Sequence, residues 1–404
     1  MRILMLTWEY PPRIIGGLSR HVHSLSRSLA KKNIEVHVLT CADPSAPFFE
    51  INDNVYVHRV KPFDLPGENF LLWVNHFNMA MIEYAIKLFK KGGFDIIHSH
   101  DWITAFAGRV LKHGTHIPLI ATIHATESGR NQGIHNETQF YISSIEWWLT
   151  YEAWRVICCS KYMMEELKFL FNLPSDKIRV IPNGIHPESL NNLDLTFNRR
   201  DYASDNEHIV FFIGRHVEEK GIQTLIRAIP KVIASYPNVK FVIAGTGPRY
   251  EYLKDLVCQL GINNKVIFTG FIEDKKRNSF LKNSEIAVFP SIYEPFGIVA
   301  LEAMACKVPV IVGDTGGFRE IVRHNLDGIR VSPGNEEDLA NAILSLLFDP
   351  LKAEQIKNKG YRRAIEDFSW DRVAENTIYV YNEVLSEYKN SSWKDEKTTG
   401  NLVY

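Results

Sequence analysis

Short apolar runs rich in β-branched residues, each closed by a turn residue, alternate with longer stretches of helical period along most of this chain, and the alternation happens twice. Parallel strands can be joined only by a connection long enough to cross the sheet, so this order predicts parallel sheets with crossover helices. In the first half the strand-like runs are RILMLT, EVHVLT, VYVHRV, DIIHSH, PLIATIH, RVICCS and IRVIP. After the polar stretch NNLDLTFNRRDYASDNE they resume as HIVFFIG, KFVIAG, KVIFTG, EIAVFP, VPVIVG and GIRVSP. The pattern predicts two doubly wound α/β domains, residues 1–187 and 188–368. A final helix with no strand after it follows from residue 369, and the tail SSWKDEKTTGNLVY is polar enough to fray. Open α/β sheets bind ligands beyond the carboxyl ends of their strands, so the strand-to-helix loops are where chemistry is expected.

With 404 residues, 45% of them hydrophobic, the chain can build two or three real cores. Its 46 basic and 47 acidic residues leave a net charge of −1, which excludes a global attraction to nucleic acid or an anionic membrane. Five cysteines, with Cys158 and Cys159 adjacent and no C-x-x-C pair, argue against a disulfide framework or a structural zinc and fit a reducing cytoplasm. The opening MRILMLTWEYPP is too short and wrongly flanked for a signal peptide, and no segment approaches a membrane span, so integral membrane association is not expected.

Several strand-end loops carry suggestive residues. PPRIIGGLSRHV puts paired glycines before a helix, which suits either a phosphate at the helix N-terminus or a tight turn. In IGRHVEEKGI, Arg215 and Lys220 would neutralise a diphosphate, or form a solvated loop paired with Glu218 and Glu219. AGTGPRY lacks the third glycine of a dinucleotide fingerprint, since Tyr250 stands there. His98 and His100 in HSHDW alternate like a metal pair but have no third ligand at an evident spacing, which leaves satisfied structural histidines as the other reading. His124 ends a strand ahead of small polar residues, as a hydroxyl-recognition loop or a structural position would. Trp147, Trp148, Tyr151 and Trp154 suit sugar stacking or a helix packed on a sheet, and core packing is the favoured reading. FLLWVNHFNMAMIEYAIKLFKK is amphipathic with a basic end, which suits a membrane-surface helix or a core-facing helix with a solvated tip, and the core-facing reading is favoured. Most demanding is SIYEPFGIVALEAMACKVPVIVGDTGG, which places Glu294 and Glu302 in an apolar, glycine-punctuated run where each carboxylate must have a specific partner.

Taken together, PPRIIGGLSRHV, HSHDW, TIH, VIPNGI, GRHVEEKGI, AGTGP, FTGFI and EPFGIVALEAMACKVPVIVGDTGG resemble the retaining GT-B glycosyltransferases of the glycogen/starch synthase and glycosyltransferase family four type, over essentially the whole chain. The resemblance implies a GT-B fold, with two Rossmann-like domains facing across a cleft, an N-terminal acceptor domain onto which the C-terminal helix 369–404 packs back, and a C-terminal nucleotide-sugar domain. It implies that Glu294, Arg215, Lys220 and His124 are catalytic: Glu294 and His124 at the donor sugar, Arg215 and Lys220 at the diphosphate. It assigns Glu302 to the ribose, and Gly17, Gly245, Ile272, Phe296, Gly297, Thr315 and Gly316 to the rest of the donor. The chain departs at Ile14, where glycogen and starch synthases carry lysine. The expected activity is transfer of glucose from ADP- or UDP-glucose to an α-1,4-glucan, with no metal or other cofactor, since no D-x-D occurs. A lipid or small-molecule acceptor is the alternative; a nucleotide-sugar epimerase and a non-catalytic sensor are the readings the two glutamates and the Arg215–Lys220 pair argue against.

Overall fold

The computed structural model describes residues 1–64 and 69–396; the end of the polar tail, residues 397–404, lies outside the described residues. The chain divides into two compact units, Met1–Pro182 together with the segment from Trp370, and Asn183–Ser369.

The first unit carries β1 (Arg2–Leu6), β2 (Glu35–Cys41), β3 (Phe49–Asn52), β4 (Val55–Val60), β5 (Ile96–His100), β6 (Leu119–Ile123), β7 (Arg155–Cys158) and β8 (Ile178–Val180). They form one sheet in the order β3-β4-β2-β1-β5-β6-β7-β8, parallel except for β3 against β4. Ile3, Leu4, Met5 and Leu6 of β1 are fully buried, because helices cover both faces of a parallel sheet and leave no polar side. Every run read as a strand forms one, and β3 is an addition. Its sequence FEIN is largely exposed at the sheet edge, so it has no apolar alternation to read. The fully buried Arg59 of β4 holds it, reaching Glu50 at 2.6 Å.

The helix Phe70–Lys91 buries Val74, Phe77, Met81, Ala85 and Leu88 and ends on Lys90 and Lys91. The helix Trp370–Lys389 packs on the helix Gly17–Lys31, and its Trp370, Val373, Ala374, Val380, Tyr381 and Val384 join the core around β1 and β2. Glu387 pairs with Arg155 and accepts the Trp154 indole N–H at 2.8 Å, while Glu383 pairs with Arg179 and Lys32 reaches Glu375 at 2.8 Å. Part of the expected frayed tail is helical: Ser392–Glu396 forms a short turn of helix, with the Trp393 ring 4.9 Å from that of His116.

The second unit carries β9 (His208–Ile213), β10 (Val239–Ala244), β11 (Val266–Gly270), β12 (Ile286–Phe289), β13 (Val310–Gly313) and β14 (Ile329–Val331). They form a six-stranded sheet in the order β11-β10-β9-β12-β13-β14, parallel throughout. After β9 the chain builds outward one way through β10 and β11, then returns to place β12 on the other side of β9. β9 and β12 therefore sit side by side where the strand order reverses, the topological switch point at whose carboxyl edge this fold class binds ligands. In the first sheet the same switch falls between β1 and β5.

Candidate active site

Every residue of the second unit assigned to the donor lies beyond the carboxyl end of its sheet. Arg215 and Lys220 occupy the loop between β9 and the helix Ile222–Ser235. Gly245 follows β10 and Ile272 follows β11. Glu294, Phe296 and Gly297 lie between β12 and the helix Ile298–Ala305, which carries Glu302; Thr315 and Gly316 follow β13.

Backbone packing fixes these loops against one another, and two glycines show why no side chain is tolerated. At Gly245, with φ +123°, a Cβ would lie 1.9 Å from the Gly214 carbonyl oxygen; at Gly316, with φ +49°, it would lie 2.0 Å from that of Glu294. The His216 N–H donates to the Thr246 carbonyl at 2.9 Å, the Gly317 N–H to the Glu294 carbonyl at 2.8 Å, and the Ile292 N–H to the Glu219 carbonyl at 2.8 Å. Thr315 Oγ1 donates to the Ile292 carbonyl at 2.9 Å, so this hydroxyl ties the β13 loop to the β12 loop. Phe296 and Ile272 are buried and shape the loops from beneath, whereas Phe271 is exposed.

The structure answers the question posed by the two buried glutamates: each has a cation. Lys220 Nζ donates to Glu294 Oε2 at 2.7 Å, and Ser291 Oγ donates to the same oxygen at 3.3 Å. The Arg215 side chain is exposed and has no ion-pair partner among the described residues, so Glu218 and Glu219 do not neutralise it. Glu302 Oε1 lies 3.0 Å from Arg277 Nη1. Sequence reasoning missed Arg277, which sits in the polar-looking helix Asp274–Lys282 but is only 4% exposed. The available signal was its spacing: Arg277 shares a helix face with Phe280 and Leu281, both fully buried.

In the first unit, Gly17 opens the helix Gly17–Lys31, and the preceding Ile15 and Gly16 N–H groups donate to Glu9 Oε2 at 2.8 and 2.9 Å. Burial raises the Glu9 pKa while these two donors oppose the rise. His124 follows β6; its backbone N–H donates to Asp101 Oδ1 at 2.7 Å and its Nε2 lies 3.2 Å from His100 Nδ1. Burial, with a smaller push from Arg130, lowers the His124 pKa to about 3. Asp101 is a second residue that sequence reasoning gave no role. Its φ of 60° and ψ of 172° lie in a region nearly reserved for glycine, and such strain gathers at functional sites. Burial lifts its pKa to about 6, against the attraction of Arg130 at 3.7 Å.

The alternating histidines do not act as a pair. His98 is held by the Tyr381 hydroxyl at 2.7 Å from Nδ1 and by Thr122 Oγ1 at 2.7 Å from Nε2, while His100 turns to His124. The aromatic cluster divides: Trp154 packs against the core around β1 and β2 and Trp148 is half-buried, but Trp147 and Tyr151 depart from core packing. The helix Glu137–Glu152 buries Ile142, Ile145 and Leu149, which turns Trp147 and Tyr151 outward, 46% and 64% exposed and stacked on each other at 5.6 Å.

Residues 15–189 match the glycosyltransferase family 4 model and residues 195–363 the model for glycosyl transferases group 1. The chain belongs to the GT-B glycosyltransferases, with a family 4 domain followed by a group 1 domain. An uncharacterized glycosyltransferase of Methanocaldococcus jannaschii is 41% identical over 386 residues, 94% of this chain and 98% of its own. The glycogen synthase of Mycobacterium tuberculosis is 34% identical over 396 residues, 94% of each chain. Among solved structures, sucrose-phosphate synthase from Thermosynechococcus elongatus matches with a TM-score of 0.82 at 25% identity, over 96% of this chain and 99% of that one. Among the described residues no helix is long and apolar enough to cross a membrane.

Proposed function

We propose that this glycosyltransferase moves glucose from ADP- or UDP-glucose to an α-1,4-glucan with retention of the α configuration, the second unit holding the nucleotide sugar and the first the acceptor. The observation that carries the reading is the Lys220–Glu294 contact at 2.7 Å beside an exposed Arg215, all at the β9/β12 switch point. Breaking the bond between the anomeric carbon and the diphosphate oxygen leaves negative charge on the phosphate and positive charge on the ring. Lys220, held by Glu294, and Arg215 beside it put two side-chain cations where the phosphate charge grows and stabilise the transition state without needing a metal. Glu294, buried and oriented by Lys220 and Ser291, supplies the acceptor oxygen that a sugar hydroxyl near the reacting carbon requires. The acceptor hydroxyl attacks from the face the phosphate leaves, and the departing phosphate oxygen takes its proton, so no separate general base is used.

The glucan acceptor is supported by the relative named as a glycogen synthase, and a small-molecule acceptor by the structural neighbour named as sucrose-phosphate synthase. Incubation with labelled ADP- and UDP-glucose in EDTA, with glycogen, maltooligosaccharides, small polyols or a lipid extract, separates these. Label in glycogen or maltooligosaccharide is the expected result. Label only in a polyol or lipid would overturn the glucan assignment, and complete loss in EDTA that metal restores would overturn the metal-free chemistry.

A further inference from the structure

The spacing of His98 and His100 offers no third metal ligand, but the fold supplies two. His21, from the helix after the Gly-Gly turn, His100, from the end of β5, and His124, beyond the end of β6, each bring a ring nitrogen within 4.8 Å of the others. Three different segments at the carboxyl edge of one sheet therefore converge on one point. His98 drops out, since Tyr381 and Thr122 occupy both its nitrogens.

We propose that His21, His100 and His124 form a binding site for a zinc-class transition-metal ion, and that occupancy switches sugar transfer off. Two nitrogens bound to one tetrahedral zinc at 2.0–2.1 Å stand about 3.3 Å apart. His100 Nδ1 and His124 Nε2 already stand 3.2 Å apart, so a metal can replace the proton between them at an unchanged separation, each ring turning to aim its nitrogen at the ion. The His21 ring lies 4.5 Å from that of His124, centroid to centroid, and closes the third position by a small shift. His21 is 4% exposed and His100 fully buried. Burial favours neutral imidazoles, the ligating form. The partly exposed His124 gives the ion a way in and leaves a fourth position for water. Arg130 is the cation facing the site, and the Asp101 carboxylate beside it, which fixes His124 through its backbone N–H, offsets that charge. The inhibitory consequence rests on the reading that places His124 at the donor sugar: a nitrogen committed to a metal is withdrawn from a hydroxyl.

Cobalt is the probe, because a tetrahedral nitrogen site gives it visible absorption and this readout does not depend on any glycosyl donor. The full chain, stripped with EDTA and dialysed, is titrated with Co2+. The expected result is a saturable visible band at one equivalent, displaced by Zn2+ and weakened at least on the order of a hundredfold in His21→Phe, which keeps a flat ring against Trp370. His100→Asn is the second variant and loses the band likewise. Absence of the band in the wild type, or equal affinity in both variants, would overturn the site. In the transfer assay, Zn2+ is expected to slow the wild type tenfold or more, reversibly with EDTA, and to leave His21→Phe far less affected. A cobalt band together with zinc-indifferent transfer would overturn the switch. Failure of all transfer with the band intact would instead point to the donor or acceptor assignment.

Discussion

Arg277 holds one of the two glutamates on which the donor assignment rests, and both members of this pair are nearly sealed from water, at 4% and 7% exposure. Removing one partner of a buried ion pair is strongly destabilising, so Arg277→Ala is expected to cost about 3–5 kcal/mol. A urea midpoint that hardly moves would show that Glu302 has other adequate support. Glu152 gives a pH prediction. Burial alone would raise its pKa, but Lys112, His113 and Arg109 outweigh that and bring it to about 2. A depressed carboxylate stabilises the fold above its unfolded pKa and loses that contribution as pH falls through the folded one. The melting-temperature gap between wild type and Glu152→Gln should therefore be widest near neutrality and close toward pH 2, and a gap constant with pH would contradict it. At this scale the sequence was legible where a charged residue stood in a strand-end loop, as Arg215, Lys220 and Glu294 do. It hid Arg277 behind Lys275 and Lys276, neither of which is buried, and it hid Asp101 because strained backbone at a non-glycine residue leaves no compositional trace.

Among elements, the parallel strands were legible because burial on both faces makes them continuous apolar runs, while β3 was not, lying exposed at an edge. The site glycines were visible as motifs, but their reason is a contact between separate loops. Gly245→Ala would put a methyl group 1.9 Å from the Gly214 carbonyl oxygen, so the β9 and β10 loops must part. Gly334→Ala is the control: φ is +74°, yet nothing lies within 4 Å of the new Cβ, leaving only the left-handed backbone cost of about 1–2 kcal/mol. Thermal unfolding should show the larger loss at Gly245, with weaker donor binding there alone. Equal losses at both positions would mean that loop contact adds nothing to backbone strain.

On the scale of the whole molecule, the first unit is discontinuous: the chain leaves it after Pro182 and returns at Trp370. Truncation after Ser369 would strip Trp370, Val373, Val380, Tyr381 and Val384 from its core and leave Arg155 and Arg179 without their carboxylates. The truncated chain should expose apolar surface, read as dye binding and loss of a cooperative transition in the first unit; native-like melting would contradict that dependence. The second unit carries the central claim, that side-chain cations at the leaving phosphate drive transfer while Glu302 merely holds the nucleotide. The direct measurement is steady-state donor kinetics of Lys220→Ala beside Glu302→Gln. A charge contact that strengthens in the transition state contributes roughly 3–4 kcal/mol, so Lys220→Ala should lower kcat about a hundredfold or more with little change in donor KM. A hydrogen bond to an unreacting ribose is equally strong before and during transfer, so Glu302→Gln should raise donor KM about tenfold or more and leave kcat near wild type. If Lys220→Ala kept full turnover, or the two variants failed in the same way, the assignment of charge to the phosphate and ribose ends of the donor would be wrong.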